Sequence, residues 1–319
     1  MSYYFFVLKK SLIIAIITIF YQIKLFKGDD CPNTFTYLYP NCIKLNNGNF
    51  LIIFSDGVYV FNSDLTEEIN KIEYESDFSL NGKDDMDLTN LSKFDDGIII
   101  AIIKIYLYIF SSNGNYIHHI NINDDINGAK YYSLIPIKYE ENNYYLAITF
   151  MDSSTKINIY YYKINISSKR FETIKYLQYS DSSNEMTDNM GLTCLLMKPS
   201  KTENEMVCFY KISGGLGATS FKFDDNINIS LTSVSLNRGN KGYYKSAANS
   251  DKTKALICRS NSAAGGYCII YDITKNSFFE DTKYFNVCGN IPRGIQIDYF
   301  EETKEFIFSC TNTGIAISI

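Results

Sequence analysis

The chain has 319 residues, 46% hydrophobic and 20% charged, which excludes a disordered polymer and leaves one large domain or two. Tyr (27) and Phe (22) are abundant, Trp is absent and Pro is scarce (5), an aromatic and β-branched inventory that suits pleated surfaces better than long helices. The net charge of −5, with no Lys/Arg stripe along the sequence, excludes the basic face that nucleic-acid phosphates require.

Residues 1–28 read as a signal peptide or signal anchor. Lys9 and Lys10 precede the apolar run 12–20, and the polar residues Lys24 and Lys27 to Asp30 follow it. The run falls short of the roughly 20 residues a spanning helix needs, which favours cleavage, with Gly28 the only small residue at the junction. A membrane attachment would come only through this N-terminal segment.

From residue 31 onward, a strand–loop–strand design recurs. It is clearest at Ala255 to Cys258, a Gly-rich interval 259–266, and Tyr267 to Asp272. The second strands of these hairpins begin near Gly57, Ile105, Ile157, Gly217, Gly266 and Gly314, at intervals of 48, 52, 60, 49 and 48 residues. Another short strand precedes each hairpin, at 42–45, 88–94, 131–139, 192–197, 243–248 and 295–300. Asn, Asp, Glu and Gly turns close these strands. A fourth strand follows five of the hairpins, at 68–75, 116–122, 171–179, 229–236 and 278–285. Within the second unit, residues 97–110 are almost wholly apolar, and a tight buried hairpin through Lys104 is expected. The polar interval 178–190 reads as an exposed insertion. Gly128, Gly191, Gly242 and Gly294 fall just before first strands, where backbones crowd around an axis.

Six units of four antiparallel strands resemble a β-propeller, with residues 31–319 as the repeat domain. The resemblance implies an all-β fold of about six blades, the sixth completed by an N-terminal strand at 33–37. A pair of β-sandwiches is the alternative. The close of a blade, Ile269-Ile-Tyr-Asp-Ile-Thr-Lys-Asn276, resembles the third-strand ending common to several propeller families. The Trp-Asp dipeptide of WD repeats, the paired glycines of kelch and the Asp box of sialidases are all missing, so only the superfold is named.

Eight cysteines in an exported chain suggest disulfides. The strand register pairs Cys194 with Cys208 and Cys258 with Cys268, leaving Cys31 with Cys42 and Cys288 with Cys310 by elimination. Zinc is not expected, because the only histidines, His118 and His119, are adjacent on a strand and face opposite sides. Asn-x-Ser sequons occur at Asn90, Asn165 and Asn228. Asn165 and Asn228 lie at the outer edge of a blade and are the glycosylation candidates, whereas Asn90 is on an inner strand.

No Gly-x-Ser-x-Gly elbow or Ser-His-Asp set is visible. Ser213-Gly-Gly-Leu-Gly217 joins two strands without a following helix and reads as a hairpin loop, not a phosphate loop. The clustered feature is acidic: Asp84, Asp85, Asp87, Asp124, Asp125 and Asp181, with Glu185 and Asp188, lie in connections between units. They would share one propeller face, where they could hold Ca²⁺ or steer a protein or glycan ligand. These observations point to an exported or surface-displayed binding or adhesion module. The alternatives are a secreted propeller-type hydrolase, using acids such as Asp85, Asp87 or Asp125, and a fragment of a larger receptor ectodomain.

Overall fold

A computed structural model describes residues 41–54, 56–63, 66–74, 89–126, 130–151, 156–180, 192–200, 204–213, 215–223, 227–236, 243–261, 265–279, 283–285, 296–300, 304–310 and 313–318. They form six antiparallel sheets in chain order. Blade 1 holds β1 (Asn41–Lys44), β2 (Phe50–Phe54), β3 (Gly57–Phe61) and β4 (Glu68–Glu73). Blade 2 holds β5 (Thr89–Lys93), β6 (Ile99–Ile103), β7 (Tyr106–Phe110) and β8 (Tyr116–Asn121), followed by the single turn α1 (Asn123–Ile126). Blade 3 is β9 (Lys130–Glu140), β10 (Asn143–Met151), β11 (Ile157–Asn165) and β12 (Arg170–Tyr179). Blade 4 is β13 (Leu192–Met197), β14 (Glu205–Ile212), β15 (Gly215–Phe223) and β16 (Ile227–Leu236). Blade 5 is β17 (Tyr243–Ala248), β18 (Lys254–Asn261), β19 (Gly265–Asp272), β20 (Ser277–Phe278) and β21 (Lys283–Phe285). Blade 6 is β22 (Gln296–Phe300), β23 (Glu305–Cys310) and β24 (Thr313–Ser318).

The first strands of successive blades touch in the order β1, β5, β9, β13, β17, β22, so they form the inner wall of a β-propeller. The cores lie between blades. Ile100, Ile102, Leu107 and Ile109 pack on Tyr132, Leu146 and Ile148 of blade 3, while Ile99, Ala101 and Ile103 pack on Leu51, Ile53 and Val60 of blade 1. Burial on both faces is why the middle strands read as continuous apolar runs, and the outer strands β4, β8 and β12 carry the solvent-facing residues.

Two devices repeat along the chain. At the end of five of the six inner strands, the described turn holds a left-handed residue: Gly48, Gly97, Glu141, Lys252 and Lys304 all have positive φ. After the third strand, a short polar side chain caps the turn. Asn62 Oδ1 accepts from the Thr66 amide at 2.9 Å, Ser111 Oγ from Asn115 at 3.1 Å, Asn165 Oδ1 from Ser168 at 2.8 Å and Asp272 Oδ1 from Thr274 at 2.9 Å. The Tyr-Asp-Ile-Thr-Lys-Asn ending is therefore turn chemistry, fastened by Tyr271 donating to Asn276 Oδ1 at 2.8 Å.

The tight hairpin of blade 2 is present: Ile103 faces Tyr106, with Lys104 at φ 55° between them. A left-handed residue other than Gly costs about 1–2 kcal/mol, more than the entropy of a Gly in the unfolded chain. Lys104→Gly is expected to raise the unfolding free energy measured in urea by a net 0.5–1 kcal/mol, roughly; an unchanged or lower value contradicts the strain at this position.

Of the two overlapping expectations, a fourth strand at 171–179 and an insertion at 178–190, the strand holds: Gln178 and Tyr179 belong to β12, with Tyr179 packed edge-on against Phe221 at 5.4 Å. Two other places depart from sequence expectation. Gly217 lies within β15 opposite Tyr210, so the hairpin loop there is shorter than five residues; a Cβ at Gly217 would sit 2.8 Å from the Tyr210 ring, which is why Gly occupies a strand. The outer strand of blade 5, expected at 278–285, is described as two segments, β20 and β21, each paired with β19. The N-terminal segment, the closing strand at 33–37, and Gly128, Gly191, Gly242 and Gly294 lie outside the described residues.

Candidate ligand-binding site

Because consecutive strands are antiparallel, the turns that end the inner strands share one face with the third-to-fourth-strand turns. The connections between blades share the opposite face. On the connection face, Asp84, Asp85, Asp87 and Asp181 lie outside the described residues, as do Glu185 and Asp188, and Asp124 is placed only as part of α1. Asp125 faces blade 3. Its Oδ2 accepts a 2.8 Å hydrogen bond from the Tyr162 hydroxyl and a 3.5 Å one from Thr173 Oγ1. Burial, then the bond to Asp125, pushes the Tyr162 hydroxyl well above the usual phenol range. Asp125 thus joins blade 2 to blade 3. Tyr162→Phe, which strands the carboxylate with its weaker partner, is expected to cost about 1.5 kcal/mol in urea unfolding; a change near zero would show that Asp125 does no structural work.

Among the described residues, no group of three His, Cys, Asp or Glu side chains is placed to hold a metal ion. His119 Nδ1 lies 2.7 Å from the Tyr116 hydroxyl, and burial, with the nearby charges of Lys169 and His119, lowers the His118 pKa. Asp56, on blade 1, accepts from Tyr59 at 2.6 Å and pairs with Lys71 at 3.2 Å. Burial raises its pKa, but those two partners outweigh burial and hold the carboxyl below its usual value.

Cys194 is bonded to Cys208 and Cys258 to Cys268, each across a directly opposed pair of adjacent strands. The first bridge faces blade 3 and the second blade 6, and all four residues are buried. Cys31 and Cys288 lie outside the described residues, so the pairs with Cys42 and Cys310 each lack a member there. The Asn165 side chain is engaged at a turn, its Nδ2 donating to Asn143 Oδ1 at 2.9 Å. Asn228 lies on the outer strand β16. Asn90 Nδ2 donates to the Tyr132 carbonyl at 2.7 Å, tying two inner strands together.

Such ties recur around the axis: Ser133 Oγ accepts from the Cys194 amide at 3.0 Å, and Thr193 and Ser246 hydroxyls meet at 2.8 Å. They hold the inner wall around a cavity of about 210 Å³ that opens on the turn face and is lined by the inner strands of blades 2 to 5. Its wall is mixed: Pro136, Leu196 and Ala248 are half-buried there, Phe94 and Leu134 are buried behind it, and Ser92 adds a hydroxyl. Charged groups and an exposed ring stand at the same cavity: Lys93, Asp95, Lys138, Tyr139 and Lys252.

Two of the lysines have carboxylate partners. Lys252 Nζ reaches Asp95 at 3.7 Å, joining blade 5 to blade 2 across the mouth, and Lys138 Nζ meets Glu140 at 2.8 Å while lying 4.7 Å above the Tyr145 ring. Lys93 Nζ donates only to a main-chain carbonyl, that of Lys44 in blade 1, at 3.0 Å; it has no carboxylate partner among the described residues. Tyr139, 44% exposed, stacks on Tyr144 at 6.0 Å. The Tyr144 hydroxyl donates to Asp96 at 2.6 Å, and burial, then that bond, raises its pKa.

Sequence reading placed the candidate site on the acidic connections and missed this mouth. The signal was available in register: Lys44, Lys93 and Lys138 each stand at or near the end of an inner strand in three successive units. A basic feature therefore exists, as single residues that the propeller brings to one end of its axis.

No protein-family model matches the chain, and no curated protein matches its sequence. Solved structures do. A protein from Lactobacillus plantarum superposes with a TM-score of 0.51 at 10% identity, covering 86% of this chain and 79% of that one. The WD40 domain of SCAP from fission yeast gives 0.48 at 12% identity, over 88% of this chain and 62% of that one. A protein of unknown function from Bacteroides caccae gives 0.47 at 13% identity, over 81% of each. At these identities the likeness is one of fold, the β-propeller.

Proposed function

We propose that this chain is an exported or surface-displayed binding module, a disulfide-braced propeller that receives its ligand at the axis. The carrying observation is the pair of buried disulfides, Cys194–Cys208 and Cys258–Cys268, because such bonds form and persist in oxidising compartments. The leader-like layout of residues 1–28 and the sequon on the outer strand at Asn228 support export. A cavity at the mouth of a rigid ring, with both apolar and polar groups on its wall, supports binding.

The test is the fate of the full chain, with its own N-terminus and a C-terminal tag, in eukaryotic cells. Recovery in the medium, or at the surface in protease-accessible form, is the expected result. Retention in the cytosol with Cys194, Cys208, Cys258 and Cys268 open to alkylation would sink the export reading.

A further inference from the structure

We propose that the cavity at the channel mouth binds a small organic monocarboxylate with an apolar or aromatic body. The proposal deepens the binding-module reading and rests on it only for the premise that the propeller takes a ligand. The charge arrangement sets the anionic group: three lysines stand at the cavity, and Asp95 and Glu140 answer two of them. Lys93 is left with a single main-chain carbonyl, so the site has room for one negative charge. A carboxylate is a strong acceptor for an ammonium donor.

The wall sets the rest of the molecule. Pro136, Leu196 and Ala248 present half-buried apolar surface at the cavity, which an aliphatic or aromatic body removes from water. The volume of about 210 Å³ lies below the usual range for drug-sized ligands and suits a body of about one ring.

Asp95 is the internal competitor. Its side chain is 84% exposed and its bond to Lys252 is long, 3.7 Å, so the pair is a weak strap across the mouth. An incoming carboxylate takes the place of Asp95 at Lys252 while it also reaches Lys93. This predicts an unusual sign: removing an exposed charge at the site strengthens binding.

The experiment is calorimetric or NMR titration of the purified full chain with phenylacetate, and with phenylacetamide as its uncharged isostere. Expected are saturable millimolar binding of phenylacetate that weakens with added salt, and no saturation by phenylacetamide. Lys93→Gln should weaken phenylacetate by about tenfold and Asp95→Asn tighten it by about threefold, the sizes expected for one partly screened charge. Equal binding of acid and amide, no saturation by phenylacetate, or an Asp95→Asn variant that binds no more tightly would each overturn the proposal. Asp95 is exposed, so its variant tests the site without threatening the fold. Failure here leaves the secretion result standing, and cytosolic retention leaves the titration readable, so the two readings fail separately.

Discussion

Replacing Cys194, Cys208, Cys258 and Cys268 together by Ala is expected to remove about 6 kcal/mol of stability, the largest single effect the structure predicts. The bridges close loops with sequence separations of 14 and 10 residues. For loops of that size the chain-entropy model gives about 3 kcal/mol each. A domain is stable by about 5–15 kcal/mol in all, so the variant would stand near the unfolding threshold. The sites add a second cost, because each bridge lies in the core between blades and Ala leaves space there. Urea unfolding of the variant beside the native protein measures this. A shift under about 2 kcal/mol would mean that the bridges do little to brace the fold.

Gly97→Ala should cost about 3 kcal/mol. Gly97 has φ +97°, a backbone state that an L side chain adopts only with strain. A Cβ there would fall on the side-chain Nδ2 of Asn46 and lie 2.8 Å from Ser112 Cβ. The main-chain N–H of Asn46 donates to the Ser112 carbonyl at 3.1 Å, which links the turns of blades 1 and 2 and holds the two backbones that carry these side chains. Left-handed strain of about 1–2 kcal/mol adds to an overpacking cost of about 1–3 kcal/mol. Thermal and urea unfolding should both show the loss; a cost under about 1 kcal/mol would show that the two turns are not locked together.

Much of the fold was legible because its devices are local. The Asn46 to Gly48 and Asp95 to Gly97 turns punctuate strands in plain view. The double-sided burial of the 99–110 hairpin announces itself as an unbroken apolar run. The cysteine pairing followed from strand register alone, since Cys194 and Cys258 each have their partner directly opposite on the next strand.

The site was not legible, because nothing local marks it. Lys93 and Lys252 are 159 positions apart in the sequence, each an ordinary turn or strand-end lysine, and only the ring of inner strands brings them to one mouth. Asp125 shows the converse. Beside Asp124 it looks like part of an acidic cluster, yet Tyr162, 37 residues away, takes its carboxylate into a contact between blades. Linear clustering of charge is a poor guide where each blade must be fastened to the next.

Peptide mass mapping of the full chain expressed in eukaryotic cells, under nonreducing conditions, reads the cystine register and the proposed export together. Peptides joined through Cys194–Cys208 and Cys258–Cys268 are expected, with a mature N-terminus near residue 28. Free thiols at these four positions, or a bridge that crosses from one of these pairs to the other, would contradict that register.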